Sequence, residues 1–329
     1  MGKVINNKSV GIGVLSWNAH ETLQKALNSY PEEFLGQFDQ KHIYFSDISN
    51  TDKQIANHYN WDYSGGPNKG IAAGMKHLAE NLHTDYILLL QNDNPLCERP
   101  DFARKHIKDA ISLIEDGHAD LARMRHRWKV GEAFTCVRKY LEYHDVKNIS
   151  PQYIPAEHEY PDPSPKPLKK AIMRVLKNHN TNRFKGRCIY IENNPEEIYP
   201  EFISKNGDFL IADSCVLDFT DQCLLISRDK WLNTFVPYVE KHPSSRAPNG
   251  FQAPEICINR AWWRKNHFKI LQGTGLFTHA RYDGSFRPEH HTNEKYAKAK
   301  NPSHGTLPSS RGFSQNKSSS PYPNNTCRK

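Results

Sequence analysis

The chain has 329 residues, 37% hydrophobic and 24% charged, with a formal net charge of +8. Such a length and apolar content fill one large core or two small ones, so a folded globular chain is expected, and the positive surplus favours anionic partners without saying which. Seven scattered cysteines, never spaced C-x-x-C, argue against a disulfide framework or zinc knuckle and fit a reducing compartment; no stretch approaches the roughly 20 apolar residues of a membrane span.

"MGKVINNKSV" has too short an apolar run for a signal peptide, and Asn6 stands where a myristoylation motif wants Ser or Thr, so a cytoplasmic location is expected. "SVGIGVLSW" is a β-branched apolar run, and in "NAHETLQKALNSY" Leu23, Ala26, Leu27 and Tyr30 keep helical spacing. "KHIYFSD" reads as a second strand, "TDKQIANHY" as a short helix and "NWDYSGGPNKG" as a glycine-rich turn opening the helix "IAAGMKHLAENL". "DYILLLQ" is a strand, "DFARKHIKDAISLIEDG" a helix stopped by Gly117, and "ADLARMR" a further strand. Strands alternating with helices imply parallel βαβ units, and a continuous apolar run such as "YILLL" implies a sheet covered on both faces.

The rhythm is lost from about Trp128 to Ile203. Within that stretch Leu168, Ala171, Ile172, Val175 and Leu176 keep helical spacing, with Lys169, Lys170, Arg174 and Lys177 on the other face of the wheel. That pattern fits either a helix packed on the main domain or one lying on a membrane surface. Regular elements return with "SCVLDFTDQCLLISRDKWLNTFV", then "PEICINRAWWRKNHFKIL" read as a helix and strand, and "GLFTHARYDG". From Asn301 onward Ser, Pro and Asn dominate, which reads as a disordered tail.

In an open α/β sheet ligands bind outside the carboxyl ends of the strands. The residues there are Ser16, Trp17 and Asn18; Asp47 through Asp52; Gly65 through Gly70; and Gln91 through Asn94. Each set alone is ordinary turn chemistry. Four in order point to a ligand-binding edge.

Those spacings resemble the inverting family 2 glycosyltransferases with their GT-A nucleotide-diphospho-sugar fold. "VLSWN" stands at the family's first-strand motif, "DISNTD" at D-x-x-S-T-D, "PNKGIAAGM" at N-x-G-x-x-x-A/G, and "LLLQNDNP" at the D-x-D strand end, with Gln91 in place of the first acid. "PEICINRAWWRKNHFKIL" resembles the late E-D helix with Ile256 replacing the second acid, and "GLFTHARYDG" the closing strand with its histidine. The resemblance implies an α/β, Rossmann-like three-layer sandwich with a mostly parallel central sheet. One domain is expected over 1–300, with a nucleotide-sugar half at about 9–125, an irregular insertion at about 128–203 and an acceptor half at about 205–285, ahead of the disordered tail at 301–329.

It further implies transfer of a sugar from a nucleotide-diphosphate donor to a hydroxyl of a glycan or lipid-linked acceptor, with inversion. Ser16, Asn18, Asp47, Asn68, Lys69, Gly70, Gln91 and Asn92 would meet the donor, Asp93 and His279 would hold Mn²⁺ or Mg²⁺, and Glu255 would deprotonate the acceptor, with Asp218 and Asp221 in reserve. Read from the residues alone, Asp52 serves equally as a helix cap, Asp93 as a turn acid, Lys69 as a solvated lysine and His279 as a core residue. Trp128, Tyr140, Tyr143, Trp262 and Trp263 are either sugar platforms or core. His290 and His291 beside Glu289 read as a solvated loop. A nucleotidyltransferase, or a non-catalytic nucleotide-sugar or carbohydrate-binding protein, remains open, and no nucleic-acid partner is expected.

Overall fold

The apolar runs become the centre of one large sheet. A computed structural model describes residues 8–131, 136–153, 167–176, 181–245 and 250–282. Strands β1 (Val10–Ser16), β2 (Gln40–Ser46), β3 (Asp62–Gly66), β4 (Tyr86–Gln91), β5 (Leu121–Arg125), β6 (Ile203–Asn206), β7 (Phe209–Asp213), β8 (Leu224–Ser227) and β9 (Lys269–Phe277) lie in the order β3-β2-β1-β4-β8-β5-β9-β7-β6. β8 runs antiparallel to both β4 and β5, and β7 to both β9 and β6; the other strands share one direction. Seven of the nine strands thus share one direction, while four of the eight neighbouring pairs are antiparallel, giving the large central sheet of an α/β fold that the sequence implies.

Helices α1 (His20–Asn28), α2 (Glu32–Leu35), α3 (Asn50–His58), α4 (Ile71–Asn81) and α5 (Pro100–Glu115) connect the first five strands. Because successive strand side chains alternate faces, "YILLL" feeds two cores at once. Ile87 and Leu89 join Met75, Leu78 and Leu82 on the α4 side, whereas Leu88 and Leu90 join Leu23, Leu27, Phe34, Ile107 and Ile111 on the other. All five strand residues from Tyr86 to Leu90 are buried, which is why no polar residue interrupts the run.

Three local readings change. "DYSGG", expected as turn, is the edge strand β3; it is exposed or half-buried throughout, so it lacks the apolar signature of the central strands. The helix expected over "EICINRAWWRKN" is broken into Pro254–Ile258 and Ala261–Lys265. Between them Asn259 uses its side chain to accept from the Phe219 amide at 2.6 Å and donate to the Phe219 carbonyl at 2.9 Å, an arrangement that competes with helix continuation. The middle stretch, although irregular in sequence, carries α6 (Cys136–Tyr143), α7 (Pro167–Leu176) and a 3₁₀ turn at Lys185–Tyr190. Val137, Tyr140, Cys188, Ile189 and Tyr190 belong to the same core as α4 and β4. Buried Glu192 ties this layer down by accepting from Tyr140 Oη at 3.2 Å and from the amides of Lys147 and Asn148 at 2.9 and 2.7 Å. The tail, together with His290 and His291, lies outside the described residues.

Candidate functional site

At the carboxyl end of β2, Asp47 adopts φ +57° and holds two neighbouring loops. Its Oδ2 accepts from Trp17 Nε1 at 3.1 Å, after β1, and its Oδ1 accepts from the Asn68 amide at 2.9 Å, after β3. Asn68 Oδ1 in turn accepts from the Gly70 amide at 2.9 Å. Gly70 sits at φ +90°, and a Cβ there would lie 2.8 Å from Phe251 Cβ, so only glycine lets the 250–254 segment close onto α4. In the first turn of α4 the Ala72 amide donates to the Gln252 carbonyl at 2.9 Å. Lys69 is exposed and lines a cavity of about 350 Å³ together with Ala72, Trp231, Val239 and Pro254.

Asn18 is exposed at φ +45° on the same edge, whereas Ser16 is 1% exposed and its hydroxyl is shut away from solvent. Asp52 is the helix cap that its position allows: Ser49 and Asp52 form a reciprocal capping box on α3.

The end of β4 turns on side-chain chemistry. Asn94 Oδ1 accepts from the Gln91 amide at 2.8 Å, and the Asn94 carbonyl accepts from Tyr30 Oη at 2.7 Å; Asn92 is buried, its amide bonded to the Leu15 carbonyl. These bonds aim Asp93 inward. Asp93 Oδ2 meets His279 Nε2 at 3.0 Å and accepts from Arg281 Nε at 2.9 Å, contacts that join residues more than 180 positions apart. The Asp93 carbonyl also accepts from the Ala280 amide, pinning the segment after β9 across the end of β4. Burial pushes the Asp93 carboxyl up, but His279 and Arg281 outweigh it and hold the group at about 2. Asp93 is thus ionised, fully buried, and has one oxygen, Oδ1, without a partner.

That donor set fits a divalent cation. A carboxylate oxygen and an imidazole nitrogen 3.0 Å apart have the spacing of two neighbouring ligands in an octahedral shell of about 2.1 Å bonds, and one buried oxygen is left over.

Beside it lies a second acidic group that the reserve reading of "LDFTDQ" only partly anticipates. Gln91 Nε2 donates to Asp221 Oδ1 at 3.2 Å, and Glu255 Oε1 accepts from Thr220 Oγ1 at 2.6 Å and from the Asp221 amide at 3.3 Å. Asp221 is 4% exposed, and burial, reinforced by the neighbouring Glu255 and Asp93 charges, pushes its carboxyl well above the usual range. Asp221 therefore holds its proton more tightly than an ordinary aspartate does. Gln91 is suited to this neighbour because an amide donates to a carbonyl oxygen, as a second carboxylate would not.

Other candidates fall away from the site. Asp218 is enclosed by Arg187 and Arg264, with Arg123 on its carbonyl, and braces the sheet. Tyr140 and Trp263 are fully buried core, Trp263 donating to the Leu217 carbonyl at 2.8 Å, and Trp262 is half-buried and stacks on Tyr238 at 3.9 Å between centroids.

No protein-family model matches the chain, and no curated protein matches it. Solved structures do resemble it. Over 83% of this chain and 60% of the other, it is similar to residues 1–349 of TarS from S. aureus, at 11% identity and a TM-score of 0.41. Over 36% of this chain and 44% of the other, it is similar to glucosyl-3-phosphoglycerate synthase from Mycobacterium tuberculosis, crystallised with Mn²⁺ and UDP, at 12% identity and a TM-score of 0.30. Over 36% of each chain it is similar to a mannosyltransferase from Pyrobaculum calidifontis in complex with GDP-Man and Mn²⁺, at 11% identity and a TM-score of 0.29. The chain thus spans less than two thirds of the length of each of these structures.

Proposed function

We propose that the protein is a glycosyltransferase that moves a sugar, with inversion, from a nucleotide-diphosphate donor to a hydroxyl of a glycan or lipid-linked acceptor. The observation that carries the reading is the convergence of Asp93, His279, Gln91, Asp221 and Glu255 at the carboxyl end of β4. Turn chemistry accounts for any one of these residues but not for a buried acid with a depressed carboxyl beside a second buried acid with a raised one.

In this reading Asp47, Asn18, Asn68 and Lys69 meet the nucleotide along the ends of β1 to β3, with Gln91 and Asn92 flanking. Asp93 and His279 hold Mn²⁺ or Mg²⁺, which when bound neutralises charge growing on the departing diphosphate. Arg281, about a third exposed, adds a fixed positive charge at the same place. Glu255 accepts the acceptor's proton: Thr220 and the Asp221 amide orient its Oε1, and Oε2 has no partner among the described residues. An in-line attack by the deprotonated hydroxyl on the anomeric carbon, opposite the diphosphate, gives inversion. Exposed Leu168, Ile172, Val175 and Leu176 on α7 support contact with a membrane that carries the acceptor.

The test is slow hydrolysis of a panel of UDP-, GDP- and dTDP-sugars with Mn²⁺ and with chelator. Turnover of one donor that falls by about 10²–10⁴ in Glu255→Gln, with donor-induced thermal stabilisation retained, is expected. Nucleotide stabilisation with no turnover in wild type would favour a binding protein.

A further inference from the structure

We propose that Asp213, Cys215 and His267 form a binding site for a zinc-class divalent cation, separate from the candidate donor site. Asp213 ends β7, Cys215 lies in the following turn, and His267 precedes β9; one ligand atom from each falls within 4.8 Å of the other two. The cluster stands before the amino end of β9, whereas His279 follows its carboxyl end, so the nine residues of the strand separate the two sites.

The chemistry of the three groups favours a thiophilic ion over Mg²⁺, since a thiolate, an imidazole and one carboxylate oxygen are the donors that Zn²⁺ selects. Their protons already converge on one acceptor. Asp213 Oδ1 accepts from the Cys215 amide at 2.7 Å, and His267 Nδ1 lies 3.1 Å from both carboxylate oxygens. Lys269 Nζ donates to Oδ2 at 2.8 Å, so each carboxylate oxygen carries one fixed donor, which holds the group in place. His267 is 62% exposed while Asp213 is 7% exposed, so an ion would rest on a fixed acid and remain open to water as a fourth ligand.

Binding balances simply. The Cys215 thiol releases its proton to solvent as sulfur joins the metal, and Nδ1 of His267 gives up its hydrogen bond to Asp213 as it turns its lone pair to the ion.

A second cluster shows what such a site lacks when its groups serve packing. Cys97, Glu98 and His126 are equally close together. There His126 Nδ1 accepts from the amides of Trp128 and Lys129 at 3.0 and 2.9 Å, so Nε2 must keep its proton. No ligand nitrogen is available. His267 carries no such constraint.

The experiment titrates the full chain with Co²⁺ under reducing conditions. Expected is a thiolate-to-cobalt charge-transfer band that grows to one thiolate-bound Co²⁺ per chain, disappears in Cys215→Ser, and in His267→Asn, where asparagine tolerates the φ of +52°, needs more than roughly a hundredfold more Co²⁺ to appear. Cys97→Ser should leave the band unchanged. Calorimetry with Zn²⁺ in two buffers should report proton release that falls by about one per chain in Cys215→Ser. Absence of a thiolate band in wild type overturns the proposal, as does a band that survives in Cys215→Ser or vanishes in Cys97→Ser. Because donor stabilisation with Mg²⁺ is read separately, failure here leaves the transferase reading standing.

Discussion

Replacing Asp93 by asparagine tests the centre of the site while keeping its shape. The drop of the Asp93 carboxyl from 3.8 to about 2 corresponds to about 2 kcal/mol of preference for the charged form in the folded state. Arg281 is about a third exposed, so solvent screens its share, and most of the effect belongs to fully buried His279. The variant also leaves both partners facing an amide, and breaking a buried pair from one side costs about 3–5 kcal/mol. A loss of about 2–4 kcal/mol is expected, read as a lower urea midpoint and a melting temperature roughly 5–12 °C lower. The pH dependence carries the sign. A depressed folded value means the stabilisation is complete above about pH 4 and is lost as pH falls toward 2. Wild type should therefore lose stability across that window more steeply than Asp93→Asn. The reasoning fails if the two proteins share one midpoint and one acid limb. Loss of donor binding in the variant, with Mn²⁺ present, would add the functional half of the argument.

Asp221→Asn should behave in the opposite way. A carboxyl whose folded value is raised is most favourable below about pH 4 and weakens folding as pH rises from there, so the variant should match or exceed wild type at pH 7 in urea denaturation and show a flatter profile above about pH 4; a large loss at pH 7 with an unchanged profile would contradict a raised Asp221. Gly70→Ala should cost about 1–3 kcal/mol through the strained backbone and the Phe251 contact, measured by the same assay, and an unchanged midpoint would mean that the 250–254 segment does not press on α4. Changing Leu168, Val175 and Leu176 together to serine should abolish sedimentation with anionic vesicles without moving the melting temperature, since all three are at least 73% exposed; wild-type protein that stays in the supernatant would remove the membrane reading.

Much of the fold was legible because it rests on periodicity. The buried strands "VGIGVLS" and "YILLL" and the amphipathic helices between them follow from apolar spacing alone, and strands alternating with helices leave few topologies other than a parallel sheet. The polar residues after each strand were legible for the same reason, since chain order places them on one edge. Legibility ended where structure depends on partners distant in sequence. β3 has no apolar pattern because an edge strand needs only one neighbour, and the helix over "EICINRAWWRKN" breaks because Asn259 finds the backbone of Phe219, 40 residues away.

Charge states were decided by tertiary structure as well. Nothing in the chain by itself gives Asp93, Asp218, Asp221 and Glu255 different charge environments. Folding surrounds Asp218 with arginines, gives Asp93 a histidine and an arginine that lower its carboxyl, and buries Asp221 against Glu255, which raises the Asp221 carboxyl. The same holds for Asp213, Cys215 and His267: no spacing of residues in the chain announces them, because the antiparallel pairing of β7 with β9 is what closes more than 50 intervening positions. Local sequence determines which segments are buried, since burial follows hydrophobic period; which polar groups meet, and in what protonation state, follows only from the distances and desolvation that the folded sheet imposes.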